Sequence, residues 1–370
     1  MKRNARIDSP FRRITIIGVG VIGGSLGLAI KKRFRSVMIT GVDRPRILKK
    51  AIARGAIDIA ERSIAPAVER ADLVFLATPI SVILKLLPEV ARFAGPRTLV
   101  TDVGSVKRPI VRTSQKCFAD GAFVGGHPMA GVELSGIEAA HPLMFENAVY
   151  VLTPLQHRRS TAVKRLAQFL SDLGARVVTL DPQLHDEVVS VVSHLPQLTA
   201  VALTNVAGRR HHSSPRYLRL AAGGFRDLTR IASSRPEIWH DILSSNSDEI
   251  RLTLDLMIRE LSAYRRALSR RGKPFGHMFR EARRIRSGIP KSMKGFLNPL
   301  EDIYVFVEDQ PGMLAKLTGV LTRAKINIKD LELMKIREGR GGTFRLSFES
   351  RDVAADAVSI LRKAGFEIGN

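Results

Sequence analysis

"RITIIGVGVIGGSLGLAIKKR", residues 13–33, passes from an apolar run through closely spaced glycines into a segment of helical periodicity. The run ends in glycines and reads as a buried strand. Gly18, Gly20 and Gly23 form the G-x-G-x-x-G pattern at the point where the strand ends and the helix opens. That placement makes a backbone nest for a pyrophosphate at a helix N-terminus, with Val21 and Ile22 in the same turn. Asp43 ends the next strand, twenty positions after Gly23. A carboxylate there takes ribose hydroxyls and repels a 2′-phosphate, so NAD is favoured over NADP. Arg44, beside it, softens that preference.

Outward from this turn the pattern repeats. "SVMITGVD", "ADLVFLATP", "RTLVTDVGS", "GAFVGGHP", "NAVYVLTP" and "ARVVTLDP" are further strands, interleaved with helical segments. The fold class is therefore α/β, with a parallel sheet covered by helices on both faces. In such a sheet the carboxyl ends of the strands form the ligand crevice. Thr78-Pro79, the stretch "DVGSVK" from Asp102 to Lys107, and His127 all fall at such ends. His127 lies in "VGGHPMAG", residues 124–131, between glycines and a proline, and is read as a loop histidine brought to a ligand. Ser105 is expected to hydrogen-bond His127 and set its tautomer, leaving one ring nitrogen to accept a proton. Lys107 is either cofactor- or substrate-facing or a solvated lysine at a helix start.

From about Asp181 the character changes. "HDEVVSVVSHLPQLTAVALTNVAG" and "EIWHDILSSNSDEIRLTLDLMIRELSAYRRAL" carry helical apolar spacing, and no strand is expected between Pro182 and Pro290. Apolar faces on such long helices predict a homodimer. After the basic linker "GIPKSMKGFLNP", the order β-α-β-β-α-β gives a ferredoxin-like layout.

Composition narrows the function classes. At 370 residues the chain is long enough for two or three domains. No apolar run reaches membrane-spanning length, and the basic start passes into a strand without a signal-peptide core. Cys117 is the only cysteine, which excludes an intrachain disulfide and fits a reducing cytoplasm. The net charge is +24, densest in "RRALSRRGKPFGHMFREARRIRSG". No RNA-binding strand, zinc-ligand spacing or heptad accompanies it, so nucleic acid is not the expected partner and no metal is expected. "AAGGFRDLTRIASSRPEIW" places Arg226 and Arg230 after a Gly-Gly pair, an arrangement that suits an arginine fork on a carboxylate.

Taken together, "GVGVIGGSLGLA", "DVGSVK", "GGHPMAGVELSG", "VVSHLPQ" and "GGFRDLTRIA" resemble the prephenate dehydrogenase family of tyrosine biosynthesis. The terminal "VFVEDQPGMLAKLTGVLTRAKINI" resembles an ACT domain, an amino-acid-sensing module. The resemblance implies NAD-dependent oxidative decarboxylation of prephenate to 4-hydroxyphenylpyruvate, CO₂ and NADH. It makes His127 the catalytic histidine, Ser105 its partner and Arg230 the carboxylate-binding arginine. His194, Glu133, Gly223 and Arg226 match positions lining the substrate pocket, and Asp227 and Trp239 match supporting positions. Several relatives carry a second histidine where this chain has Gln197, which leaves arogenate open as the substrate. The implied organisation is a Rossmann-type domain at 11–181, a helical substrate-binding and dimerisation domain at 182–290, a linker at 291–300 and an ACT domain at 301–370. In the last of these, Asp309, Pro311 and Gly312 form an effector turn, with feedback inhibition by tyrosine expected. The readings from other classes are a non-catalytic amino-acid sensor and a nucleic-acid-binding protein on an enzyme scaffold.

Overall fold

Strand β1 (Arg13–Ile17) is buried along its last four residues and delivers the chain into Gly18. The computed structural model describes residues 7–119, 121–130, 135–154, 161–212, 214, 216–269, 276–288, 300–337 and 341–369. It divides into two units, Met1–Pro274 and Phe275–Asn370.

After β1 come α1 (Val21–Arg33), β2 (Met38–Val42), α2 (Pro45–Ala53), β3 (Ile59–Glu61), α3 (Ile64–Glu69) and β4 (Leu73–Leu76). They are followed by α4 (Ile80–Phe93), β5 (Leu99–Asp102), α5 (Arg108–Cys117), β6 (Phe123–Pro128), β7 (Val149–Pro154), α6 (Thr161–Asp172) and β8 (Arg176–Thr179). The sheet runs β8-β7-β6-β5-β4-β1-β2-β3. Both β2 and β4 pair with β1 in parallel, so the strand order reverses around β1. A crevice for a ligand opens at the carboxyl ends there.

One pair departs from the parallel expectation: β7 runs antiparallel to β6, with His127 opposite Val151. A parallel neighbour needs a crossover, usually a helix, whereas a 3-10 turn at Ile137–Ala139 lies between these two strands. The short edge strand β3 is a further element that the strand pattern did not announce.

Each face of the sheet buries its own cluster. Phe11, Phe34, Phe75 and Phe169 pack on one side, with the rings of Phe34 and Phe169 stacked at 4.8 Å between centroids. On the other side, Ile83, Leu87 and Val90 of α4 and Ile110 of α5 meet Ile242, which arrives from the helical segment.

That segment contains α7 (Pro182–Val189), a π-turn (Ser190–His194), α8 (Leu195–His211), α9 (Arg216–Arg219) and α10 (Gly223–Thr229). A 3-10 turn (Arg230–Ser233), α11 (Pro236–Ser245) and α12 (Ser247–Leu268) complete it. No strand occurs among its described residues. Leu252, Leu256, Ile258 and Leu261 of α12 are exposed, an apolar surface of the kind that a second subunit covers. None of the helices among the described residues is long and apolar enough to cross a membrane.

The second unit holds α13 (Gly276–Gly288), β9 (Glu301–Val307), α14 (Met313–Arg323), β10 (Asp330–Arg337), β11 (Gly341–Phe348), α15 (Arg351–Lys363) and β12 (Glu367–Gly369). Its sheet, β10-β11-β9-β12, is antiparallel throughout, as the β-α-β-β-α-β order requires. Leu317 and Leu321 of α14 and Ala357 and Leu361 of α15 cover one face.

Candidate active site

The glycine turn after β1 is built by close approach. Gly18 has φ +93°, and a Cβ there would lie 2.5 Å from the Ala77 carbonyl oxygen. A Cβ on Gly23 would lie 2.0 Å from the Gly18 carbonyl oxygen, which no rotamer change relieves. A Cβ on Gly20 would meet nothing, so the backbone there faces open space. Val21 and Ile22 open α1, whose N-terminus has no side-chain cap. Asp43 accepts hydrogen bonds from the backbone N–H groups of Val19 (2.8 Å) and Arg44 (2.7 Å), which fixes its carboxylate at the rim of the turn. Arg44 itself is exposed. Gly18, Asp43, Arg44 and Thr78 line one cleft of about 430 Å³, together with Arg62 and Ile64, which sequence reasoning did not single out.

These residues fit a dinucleotide. The Thr78 hydroxyl is buried without a hydrogen-bond partner, a polar group that a ligand in the cleft would satisfy. Pro79 precedes α4, whose first turn is bound by the Asp241 carboxylate through the Ser81 N–H and hydroxyl (2.9 and 2.6 Å). For Gly23→Ala we expect the Kd for NAD to rise roughly 5- to 150-fold, because over-packing a tight site costs roughly 1–3 kcal/mol. Titration calorimetry measures this directly, and an unchanged Kd would place the cofactor elsewhere.

The second cluster surrounds His127. The residue is inside β6 rather than in a loop after it, and it is only 8% exposed. The preceding glycines serve contact, not flexibility. A Cβ on Gly126 would lie 2.5 Å from the Asp102 carbonyl oxygen, and one on Gly125 would lie 2.3 Å from the Thr153 hydroxyl. The expected bond from Ser105 is not formed. Instead His127 Nδ1 lies 2.8 Å from His185 Nε2, and His185 Nδ1 lies 2.7 Å from Asp186 Oδ1. Ser105 is half-buried in the turn between β5 and α5. Burial holds the His127 ring well below the ordinary histidine value, assisted by His185, Lys107 and His194.

Lys107 faces neither solvent nor an open cleft. It is fully buried, ion-paired to the fully buried Asp102, and donates to the Gly126 carbonyl oxygen (2.6 Å). Asp102 in turn accepts from the N–H groups of Gly104 (2.7 Å) and Gly126 (3.0 Å). This pair pins the ends of β5 and β6 together beside His127. Burial lowers the Lys107 ammonium from its usual range, while Asp102 raises it.

His194 closes the π-turn and is buried edge-on to Trp239, with ring centroids 6.1 Å apart. Burial holds it at about 4. Gln197 is buried one turn later and donates to the Ile231 carbonyl oxygen (3.0 Å), within the 3-10 turn that Arg230 begins. Arg226 and Arg230 are exposed, as are Gly223 and Asp227. Glu133 lies outside the described residues. The residues missed from the sequence are His185 and Asp186. Their one available signal was a histidine and a carboxylate adjacent in "LHDEVV", which only the packing of α7 against the strand ends turns into a site.

In the second unit Gly312 caps α14 with φ +87°, a conformation that glycine adopts without strain. Asp309 and Pro311 are exposed on the turn before it.

Comparison with known proteins gives one answer along the chain. Residues 26–179 match the nucleotide-binding domain of prephenate dehydrogenase, 181–293 its dimerization domain, and 302–366 an ACT domain. The prephenate dehydrogenase of Bacillus subtilis (strain 168) is 39% identical over 346 residues, which cover 92% of each chain. That of Lactococcus lactis subsp. cremoris is 35% identical over 95% of this chain and 98% of its own. Among solved structures, prephenate dehydrogenase from A. aeolicus, in complex with hydroxyphenyl propionate and NAD⁺, superposes with a TM-score of 0.70 at 31% identity. The superposition covers 75% of this chain and 98% of that one.

Proposed function

This chain belongs to the prephenate dehydrogenase family, and we propose from that premise how its own residues carry out the NAD-dependent oxidative decarboxylation of prephenate. It is an NAD-dependent oxidoreductase with a Rossmann-type domain, a helical dimerisation domain and an ACT domain. The observation that carries the mechanism is the buried His127 at the carboxyl end of the sheet, with one ring nitrogen held by His185.

NAD⁺, when bound, supplies the hydride acceptor for ring C4 of prephenate. Gly18, Gly20, Val21, Ile22 and Gly23 would hold its pyrophosphate, Asp43 and Arg44 would take its ribose, and Thr78-Pro79 would wall the cleft. The remaining nitrogen of His127 takes the C4 hydroxyl proton as that carbon becomes a ketone. The electrons of the ring–carboxylate bond move into the ring and CO₂ leaves, the C4 oxygen takes the proton back from His127 as the phenol forms, and aromatisation makes the step effectively irreversible. Arg230 takes a substrate carboxylate in a bidentate fork. Arg226, Gly223, His194, Glu133 and Ser105 contribute the rest of the pocket. A buried site excludes water, so the protein's task is orientation and one poised proton acceptor.

We place the domain boundaries at 11–181, 182–290 and 301–370, and the linker at 291–300, most of which lies outside the described residues. The exposed face of α12 supports a homodimer, and the lone Cys117 supports a cytoplasmic setting. An amino-acid effector follows from the ACT domain. We assign it as tyrosine, its carboxylate held at the turn of Asp309, Pro311 and Gly312 before α14.

The test is NADH formation from prephenate and from arogenate, each with and without tyrosine. Turnover of prephenate suppressed by tyrosine is the expected result. Preference for arogenate keeps the chemistry and moves the specificity toward Gln197. No turnover of either by folded protein overturns the assignment. For Gly312→Val we expect tyrosine inhibition to disappear while turnover without tyrosine stays within about twofold, since the strain is local to one turn. Unchanged sensitivity would put the effector elsewhere.

A further inference from the structure

Helix α7 begins at Pro182 behind an Asp181 cap that accepts from the Gln183 and Leu184 N–H groups. It is clamped to the sheet domain through Asp186. One oxygen of that carboxylate accepts from the Lys107 backbone N–H (2.7 Å). The other accepts from the Arg108 backbone N–H (2.8 Å) and Nε–H (3.3 Å). Asn246 donates to the Asp186 carbonyl oxygen (2.9 Å) from the far side. Both carboxylate oxygens therefore face donors, and an ionised carboxylate only accepts.

The proton positions along the chain of rings follow from this. His185 Nδ1, 2.7 Å from Asp186 Oδ1, must carry a hydrogen. In a neutral ring its Nε2 is then a bare lone pair, and the 2.8 Å contact to His127 Nδ1 is a hydrogen bond only if His127 donates. His127 is left with its hydrogen on Nδ1 and its lone pair on Nε2.

We infer that the Asp186–His185 pair is the positioning device of the active site, fixing His127 in the tautomer whose Nε2 accepts the substrate proton. The inference rests on the reading of His127 as the base. It adds two residues that act through His127 and replaces Ser105 as the group that sets its tautomer. When the C4 hydroxyl proton reaches His127 Nε2, the ring holds two hydrogens. Its Nδ1 hydrogen can shift along the existing bond to His185 Nε2, with no heavy atom moving. The positive charge then lies against the Asp186 carboxylate rather than beside the Lys107 ammonium. The substrate's O–H electron pair becomes the carbonyl π bond as C4 gives up its hydride, and the proton returns through His127 Nε2 to that oxygen when CO₂ leaves and the phenol forms, so the step balances.

The charged and titratable groups around the two rings come from every neighbouring element. They are Asp102 on β5, Lys107 and Arg108 at the start of α5, Tyr150 on β7, Asp186 on α7 and His194 on the π-turn. Among them the only carboxylate bonded to a ring is Asp186. A proton that reaches His127 Nε2 is therefore relayed, through these hydrogen bonds, toward Asp186 and no other carboxylate of this set.

Two measurements on the full-length protein test this. Nitrogen chemical shifts of ¹⁵N-histidine-labelled wild type read the tautomer without any turnover. We expect His127 as the Nδ1–H form, and an Nε2–H form overturns the inference whatever the activity. His185→Gln keeps an acceptor toward His127 and a donor toward Asp186 but cannot take a proton. We expect kcat to fall roughly 10- to 100-fold, and His185→Phe, which breaks the tautomer control, to cost roughly 10²–10⁴-fold. KM for NAD and the Kd for NAD should stay within about threefold of wild type. In ¹⁵N-histidine-labelled His185→Phe, where nothing accepts from Nδ1, the His127 nitrogen shifts should move away from the pure Nδ1–H pattern. An unchanged Nδ1–H pattern in that variant reduces His185 to a packing residue and overturns the proposal. So does a His185→Phe protein that retains near-wild-type kcat.

Discussion

Replacing His127 by asparagine lowers kcat for prephenate by about 10²–10⁴-fold, the range that a positioned general base supplies, while the Kd for NAD stays within about twofold. Asparagine fills the Nδ1 side of the ring and can still donate to His185, so β6 and its neighbours keep their places; what is lost is the proton acceptor. The pH profile of the wild type carries the same information. Burial holds the His127 ring well below the ordinary histidine value, with His185, Lys107 and His194 acting in the same direction. A base whose proton affinity is depressed stays neutral as pH falls through the ordinary histidine range. Activity is therefore retained there and declines only at lower pH. Steady-state kcat/KM across pH checks the sign, and an acid limb at or above the usual histidine value argues against the buried ring as the base. The asparagine variant should show its residual rate without that limb.

The glycine turn was legible because its chemistry is local. Gly18, Gly20 and Gly23 are close in sequence, and the contacts that forbid a side chain at Gly18 and Gly23 come from the turn and the adjoining strand end. The second unit was legible for a similar reason: alternation along β9 and the helical spacing of α14 and α15 are each readable within one element. What was not legible depends on pairing. "GGHP" reads as a flexible loop until β7 folds back antiparallel and takes His127 into the ladder opposite Val151. The glycines are then required because Asp102 and Thr153 press on them. Lys107 gave no sign of burial, since a lysine at a helix start is ordinarily solvated. Its partner, Asp102, is five residues away at a strand end, and their meeting depends on the course of the turn between them. His185 and Asp186 were hidden most deeply, because nothing in α7 shows which strand end it will meet. The expectation that Ser105 orients His127 failed for the same reason: a nearer candidate in sequence was displaced by one that tertiary packing brings closer.

For Lys107→Met the expected result is a loss of roughly 3–5 kcal/mol in unfolding free energy, the cost of leaving a buried charge without its partner. Methionine fills most of the lysine stem's volume, so packing is nearly conserved and the change is electrostatic. Asp102 would keep the N–H donors of Gly104 and Gly126 but lose the ammonium that neutralises it in a site with no access to water. It would also lose the clasp from Lys107 to the Gly126 carbonyl oxygen, one residue before His127. Urea denaturation followed by far-ultraviolet circular dichroism measures the first effect, and kcat under fully folded conditions measures the second. The double variant Asp102→Asn/Lys107→Met separates charge from shape. With both charges gone, the penalty for an unpaired ion disappears, so the double variant should be more stable than Lys107→Met alone despite carrying one more substitution. Equal or greater destabilisation of the double variant would mean that the hydrogen-bond geometry around Gly126, and not the neutralisation of Asp102, holds the ends of β5 and β6 together. In that case the activity loss should track the loss of the Gly126 contact, and kcat would be as low in the double variant as in the single one. If neutralisation is the cause, stability recovers in the double variant while kcat recovers only in part. Asparagine can still accept from one of the two N–H groups, but the Lys107 contact to the strand that carries His127 is absent in both proteins.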